Sequence, residues 1–172
     1  QFRPDSSGPC LPIGDAKVID EAGNELPVGA VGELCVRGPN VVRGYWGKPE
    51  ATAETFVDGW LRTGDLARLD DEGFVFIVDR KKDMLIRGGE NIYCSEVEAA
   101  LFEHPAVMDA GVIGLAHHTL GEEPAAVVTL KAGAQATEQE LRAFVAARLA
   151  SFKVPVRIAF SGQTLPRNAN GK

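Results

Sequence analysis

Cysteine is scarce in this 172-residue chain: Cys10, Cys35 and Cys94 are odd in number, far apart and form no CxxC pair. That pattern points to free thiols and argues against a disulfide framework or a cysteine-based zinc site. Long apolar runs are missing too. Nothing approaches the ~20 consecutive apolar residues of a membrane helix, so no transmembrane segment is expected. Residues 1–15 hold no basic segment leading into an apolar signal core, which makes the cytoplasm the expected compartment. Positive charge is in deficit, with Lys+Arg 18 against Asp+Glu 24 and a formal net charge of -6. Without a general positive field no nucleic-acid partner is expected, and any anion site must be local. Internal repeats, low-complexity tracts and a GxxxxGK[ST] phosphate loop are likewise absent.

What remains is ordinary globular material. Hydrophobic residues make up 45% and charged residues 24% of the chain, and the length suits one domain or two small ones. Residues 16–20 and 32–38 read as β-strands separated by a turn at Glu21 to Asn24. Residues 49–56 predict a brief helix with Pro49 in its first turn, where a missing N–H costs nothing. Two runs within 65–79 flank Asp70, Asp71, Glu72 and Gly73, a hairpin pattern with glycine ready for the left-handed position.

After Asp79 the pattern changes to strands alternating with helices. Ser95 and Glu98 have capping-box spacing, and Val97, Ala100 and Leu101 share a face, predicting a helix over 95–104. Residues 107–116 and 124–130 read as buried strands joined by a polar turn. Thr137 and Glu140 repeat the capping box, ahead of an apolar stripe of Leu141, Phe144, Val145 and Leu149 that should lie in the core. Residues 156–162 predict a last short strand, followed by a loop. His117 and His118, near Glu122 and Glu123, fit no metal-ligand spacing, and no metal ligands are identified.

Four stretches carry the chemistry: VGELCVRGPNVVRGYWGKPEAT (31–52), GWLRTGDLARLDDEGFVFIVDRKKD (59–83), GGENIYCSEVE (88–98) and PRNANGK (166–172). In this order they resemble the last signature motifs of adenylate-forming enzymes, a family of acyl-CoA synthetases, peptide-synthetase adenylation domains and beetle luciferases. The resemblance covers nearly the whole chain. It implies an α+β fold: residues 1–79 would be the β-rich tail of a large N-terminal domain, and residues 80–172 a compact α+β C-terminal domain with its hinge at 80–83. The upstream part of the large domain, with the phosphate loop and acid pocket, would be missing. The chain is therefore expected to be a fragment, inactive by itself.

The resemblance also implies roles. Asp65 matches the aspartate that binds the ATP ribose hydroxyls; a carboxylate can accept from both at once. Read alone, TGD would be a turn with Asp65 capping the backbone. Arg80 matches an arginine that contacts ribose or phosphate through its planar donors. Ile77 matches an apolar residue near adenine, and by itself reads as strand core. Lys82 falls at the hinge position, where a long polar side chain stays hydrated while the backbone moves. Gly88 and Gly89 resemble a loop lining the pantetheine tunnel, where absence of a side chain permits close approach; alone they read as a β-turn. Arg87 would lie at the tunnel mouth, within reach of a coenzyme A phosphate. Lys172 resembles the catalytic lysine of adenylation, whose ammonium stabilises charge gathering on the attacking carboxylate and the α-phosphate. Cys94 stands where the family often has proline, and reads as buried filler.

The implied function is an acid-CoA ligase, closer to fatty- and other acyl-CoA ligases than to peptide-synthetase modules. Its substrates would be a carboxylic acid, ATP and coenzyme A, with Mg2+ implied by the family. The alternatives are an adenylation domain that loads a carrier protein and a noncatalytic binding module.

Overall fold

The computed structural model describes residue 3 and residues 5–166. The chain separates into two compact units, Gln1–Lys82 and Asp83–Lys172, with strands and helices mixed in an α+β arrangement.

Unit 1 is an antiparallel sheet of β1 (Asp15–Ile19), β2 (Gly32–Arg37), β3 (Phe56–Val57), β4 (Trp60–Leu69) and β5 (Val75–Arg80), with the short helix α1 (Pro49–Thr55) ahead of β3. The order is β1-β2-β4-β3, and β5 also pairs with β4. The β1–β2 connection turns where Asp20 accepts from the Asn24 N–H at 2.8 Å. β1 and β2 approach so closely that a Cβ on Gly32 would stand 2.3 Å from the Ile19 carbonyl oxygen, so only glycine fits. At the β4–β5 turn, Asp70 Oδ1 accepts from the Glu72 and Phe74 N–H groups at 3.0 and 2.9 Å, and Gly73 takes φ +78. The core of this unit is small: Leu34, Ala67 and Val75, with Ala16, Val36 and Leu69 against them.

β4 is the axis of the unit. On one edge it pairs with β2; on the other its start pairs with β3 at Trp60 and Leu61 and its end pairs with β5 from Asp65 onward. Between those two ladders sit Thr63 and Gly64, the latter at φ +73.

Unit 2 contains β6 (Met84–Arg87), β7 (Glu90–Tyr93), α2 (Cys94–Phe102), β8 (Val107–His117), β9 (Gly121–Leu130), α3 (Glu138–Ala146) and β10 (Arg157–Ser161). Its sheet runs β10-β9-β6-β7, with β8 also on β9. β9 and β10 are parallel, which requires a crossover, and α3 supplies it. α2 and α3 touch each other and close over a core that includes Ile92, Val97, Leu101, Val128, Leu141 and Val145. Each such side chain contributes about 1.5–3 kcal/mol by leaving water, so this core is much the larger of the two.

Three expectations need correction. The helix over 95–104 begins at Cys94, with Tyr93 at the N-cap and no side-chain cap bond. β7 pairs with β6 as far as Tyr93, so Ser95 already lies inside the helix, and Glu98 accepts from the Val112 N–H of β8 at 2.9 Å. β8 is not buried on both faces: Met108, Ile113 and Leu115 are exposed while Val107, Ala110 and Val112 are buried, the alternation of a half-buried strand. Phe144 is only partly buried, edge-on to His104 at 4.8 Å and beneath Arg148. The second capping box is present as expected: Thr137 accepts from the Glu140 N–H and the Glu140 carboxylate from the Thr137 N–H.

Candidate active site

In unit 1 the fold brings together two residues singled out in the sequence. Asp65 and Arg80 are direct cross-strand partners in β4 and β5, and Arg80 Nε lies 2.8 Å from Asp65 Oδ1. Thr63 sets up this end of β4: its hydroxyl donates to the Leu34 carbonyl at 2.9 Å and accepts from the Asp65 N–H at 3.1 Å. The side chain that caps the backbone in RTGD is thus Thr63, and the Asp65 carboxylate is turned to Arg80. The reading of Asp65 as a turn cap does not hold.

Two open grooves adjoin at Gly64 and Lys81. One, about 320 Å3, is lined by Gly64, Arg80, Lys81 and Lys82. The other, about 450 Å3, adds Glu33, Tyr45, Glu54, Thr55, Arg62 and Thr63 to the shared pair. Gly64, at φ +73, lines both grooves.

The wall of the larger groove carries a charge cluster that motif reasoning missed. Glu33, only 7% exposed, accepts from Arg62 Nε and Nη2 at 3.2 and 2.5 Å and from Lys81 Nζ at 3.0 Å. Burial works to raise the Glu33 carboxyl, but the hydrogen bonds and charges of Arg62 and Lys81 outweigh it and hold the group below its ordinary value. The same carboxylate raises Arg62. Cys35, two residues along the strand and buried, has its thiol pushed up by burial first and by Glu33 second. Glu33, Arg62 and Lys81 all lie inside the quoted motif stretches, which was the only hint.

Ile77 is not strand core. It pairs with Ala67 beside a register shift in β5 and is 46% exposed, so its apolar face is open to a flat ligand. Lys82 is exposed, within a 3-10 turn, Lys81–Asp83.

In unit 2, Gly88 and Gly89 form the two-residue turn of the β6–β7 hairpin, at φ +59 and +90, as primed turns require. Their roles differ. The Gly88 N–H donates to the Leu120 carbonyl at 2.8 Å, and a Cβ there would meet the Leu120 side chain at 3.3 Å, whereas Gly89 has nothing within 4 Å. Arg87 is engaged internally, Nη2 to Glu123 Oε1 at 3.0 Å. Lys172 lies outside the described residues. Among the described residues there is no cluster of three His, Cys, Asp or Glu side chains that could hold a metal ion. No helix among them is long and apolar enough to cross a membrane.

Comparison with known proteins accounts for this arrangement. Residues 1–46 match the family described as AMP-binding enzyme, and residues 96–172 match the AMP-binding enzyme C-terminal domain. The chain is 52% identical over 141 residues to a 2-succinylbenzoate–CoA ligase of Geobacillus kaustophilus, covering 82% of this chain and 29% of that protein. It is 47% identical to a long-chain-fatty-acid–CoA ligase of Bacillus subtilis, covering 99% of this chain and 30% of that one. Among solved structures, ATP-bound MatB from Rhodopseudomonas palustris superposes with a TM-score of 0.91 at 42% identity, over 98% of this chain and 34% of that one. The chain thus spans about 30% of the length of the curated relatives it matches. With both stretches matched in order and the same backbone shared over nearly its full extent, the chain belongs to the family of AMP-binding, adenylate-forming enzymes.

Proposed function

We propose that this chain forms part of an ATP-dependent, AMP-forming acid-CoA ligase. The observation that supports it most is the Asp65–Arg80 pair beside an open groove, at positions matching the nucleotide-contacting aspartate and arginine of the family. Relatives that activate 2-succinylbenzoate and long-chain fatty acids both exceed 45% identity, so the acid class is left at a carboxylic acid, with an acyl chain as the favoured form.

In the first step a carboxylate oxygen attacks the α-phosphorus of ATP, the α–β bridging bond breaks, and acyl-adenylate and pyrophosphate form. Asp65 accepts from the ribose hydroxyls, Arg80 donates to ribose or phosphate, and Ile77 offers an apolar face to adenine. The Lys172 ammonium stabilises charge shared between the carboxylate and α-phosphate oxygens, more in the transition state than in the separated reactants. In the second step the coenzyme A sulfur attacks the acyl carbonyl carbon and AMP leaves with the electrons of the cleaved C–O bond. Rotation about Lys82 exchanges Lys172 for the Gly88-Gly89 turn, whose backbone lets pantetheine pass closely. Since Arg87 is engaged with Glu123, any contact with a coenzyme A phosphate requires it to share or break that bond.

Acid-dependent exchange of labelled pyrophosphate into ATP by the intact parent enzyme, followed by acyl-CoA release, tests this function. Exchange without acyl-CoA would transfer the second step to a carrier protein. No exchange with any acid across a broad panel would reject ligase activity.

A further inference from the structure

The charge cluster at Glu33 has one cation more than it needs. Arg62 sits on the neighbouring strand, opposite Cys35, and its two contacts already neutralise the carboxylate. Lys81 comes from 48 residues away, just past the last residue of β5. A lysine at a strand end ordinarily extends its flexible stem into water, yet here the ammonium is held at 3.0 Å on a carboxylate whose side chain is 8% exposed. The backbone on either side is also restrained. Arg80 is tied to Asp65, and Met84 begins the ladder with Tyr93. With Lys81 held on Glu33 as well, only Lys82 and Asp83 stand free of these restraints.

We infer that Glu33 is a positioning residue that clamps Lys81 and thereby confines the hinge motion to Lys82 and Asp83. The inference rests on the hinge reading given under Proposed function. A rotation shared among few dihedrals has few end points; releasing Lys81 lets the motion spread back toward β5, so the pose required for thioester formation is reached less faithfully. The clamp also keeps Lys81 on the wall common to both grooves.

The intact parent enzyme carrying Lys81→Met tests this, because Arg62 still neutralises Glu33 and the fold is retained. Amide hydrogen exchange at 81–83 should become about two- to fivefold faster, the range set by losing a partly exposed ion pair, with β2 and β4 unchanged. The fraction of acyl-adenylate carried on to thioester rather than released should fall by a similar factor, and Lys81→Arg should restore both. Unchanged exchange at 81–83 overturns the clamp. Faster exchange throughout β2 and β4 also overturns it, by making Lys81 merely structural, as does local loosening with an unaltered thioester fraction. Lys82→Pro separates the two readings: normal thioester formation by that folded variant removes the hinge itself, whereas impaired thioester formation alongside unchanged exchange in Lys81→Met removes only the clamp.

Discussion

Asp65 and Arg80 oppose each other across β4 and β5, with Arg80 Nε 2.8 Å from Asp65 Oδ1. The contact is made through one nitrogen and one oxygen, so a nucleotide can engage the other donors and acceptor without first dismantling the pair. A preformed pair of this kind reduces the side-chain ordering that binding would otherwise require.

In the intact enzyme, Asp65→Asn should raise the KM for ATP in pyrophosphate exchange by about tenfold, equivalent to one lost charge-assisted hydrogen bond. Arg80→Gln should act in the same direction. Because the two groups touch, the double variant should show a coupling of about 0.5–3 kcal/mol instead of simple additivity. Steady-state exchange rates against ATP concentration measure all three, and strict additivity would mean that the pair does not act as a unit.

Gly89→Val should distinguish the two half-reactions. At φ +90 a β-branched residue adds strain of about 1–2 kcal/mol, and its side chain would occupy the open side of the turn. Thioester formation from supplied acyl-adenylate should drop at least tenfold while pyrophosphate exchange changes little. Equal losses in both would place the turn outside the coenzyme A path.

Glu33→Gln should destabilise the protein at pH 7 by about 1–3 kcal/mol, less than for a fully buried pair because Arg62 and Lys81 both keep contact with water. Glu33 ionises more readily folded than unfolded. Its contribution is therefore complete above the unfolded carboxylate value, about 4.3, and is lost as pH falls through the lower folded value. Urea unfolding of both proteins between pH 7 and pH 3 should show a constant gap down to about pH 5 that narrows below it. A gap that widens in acid would contradict the ion-pair assignment.

Lys172→Ala should suppress acyl-adenylate formation far more than thioester formation from supplied acyl-adenylate, by at least a hundredfold for a group that acts on transition-state charge. Comparable losses in both half-reactions would reject its role in the first step.

Local contacts were legible in the sequence. Thr137 and Glu140 cap α3 because their partners lie three residues apart on the same turn, and Asp70 with Gly73 closes the β4–β5 turn for the same reason. The motif stretches likewise marked Asp65 and Arg80, although nothing local showed that a β4–β5 register would set them face to face. Where the same spacing failed, a tertiary neighbour had intervened. Ser95 and Glu98 have the spacing of a cap, but pairing of β7 with β6 holds the strand to Tyr93, and Glu98 finds a donor on β8.

By itself the sequence determined the family, the α+β pattern and most of the turns, since these depend on residue types at short spacing. Only the tertiary structure decided which side chains of those motifs are buried or exposed. Ile77 looks like core from its neighbours, yet the small core of unit 1 does not cover it and it faces water. Glu33 looks like a surface charge in GELC, yet it is buried, because cations 29 and 48 residues along the chain converge on it. Burying a carboxylate is tolerable only when a cationic partner is brought to it, and folding alone brings one there.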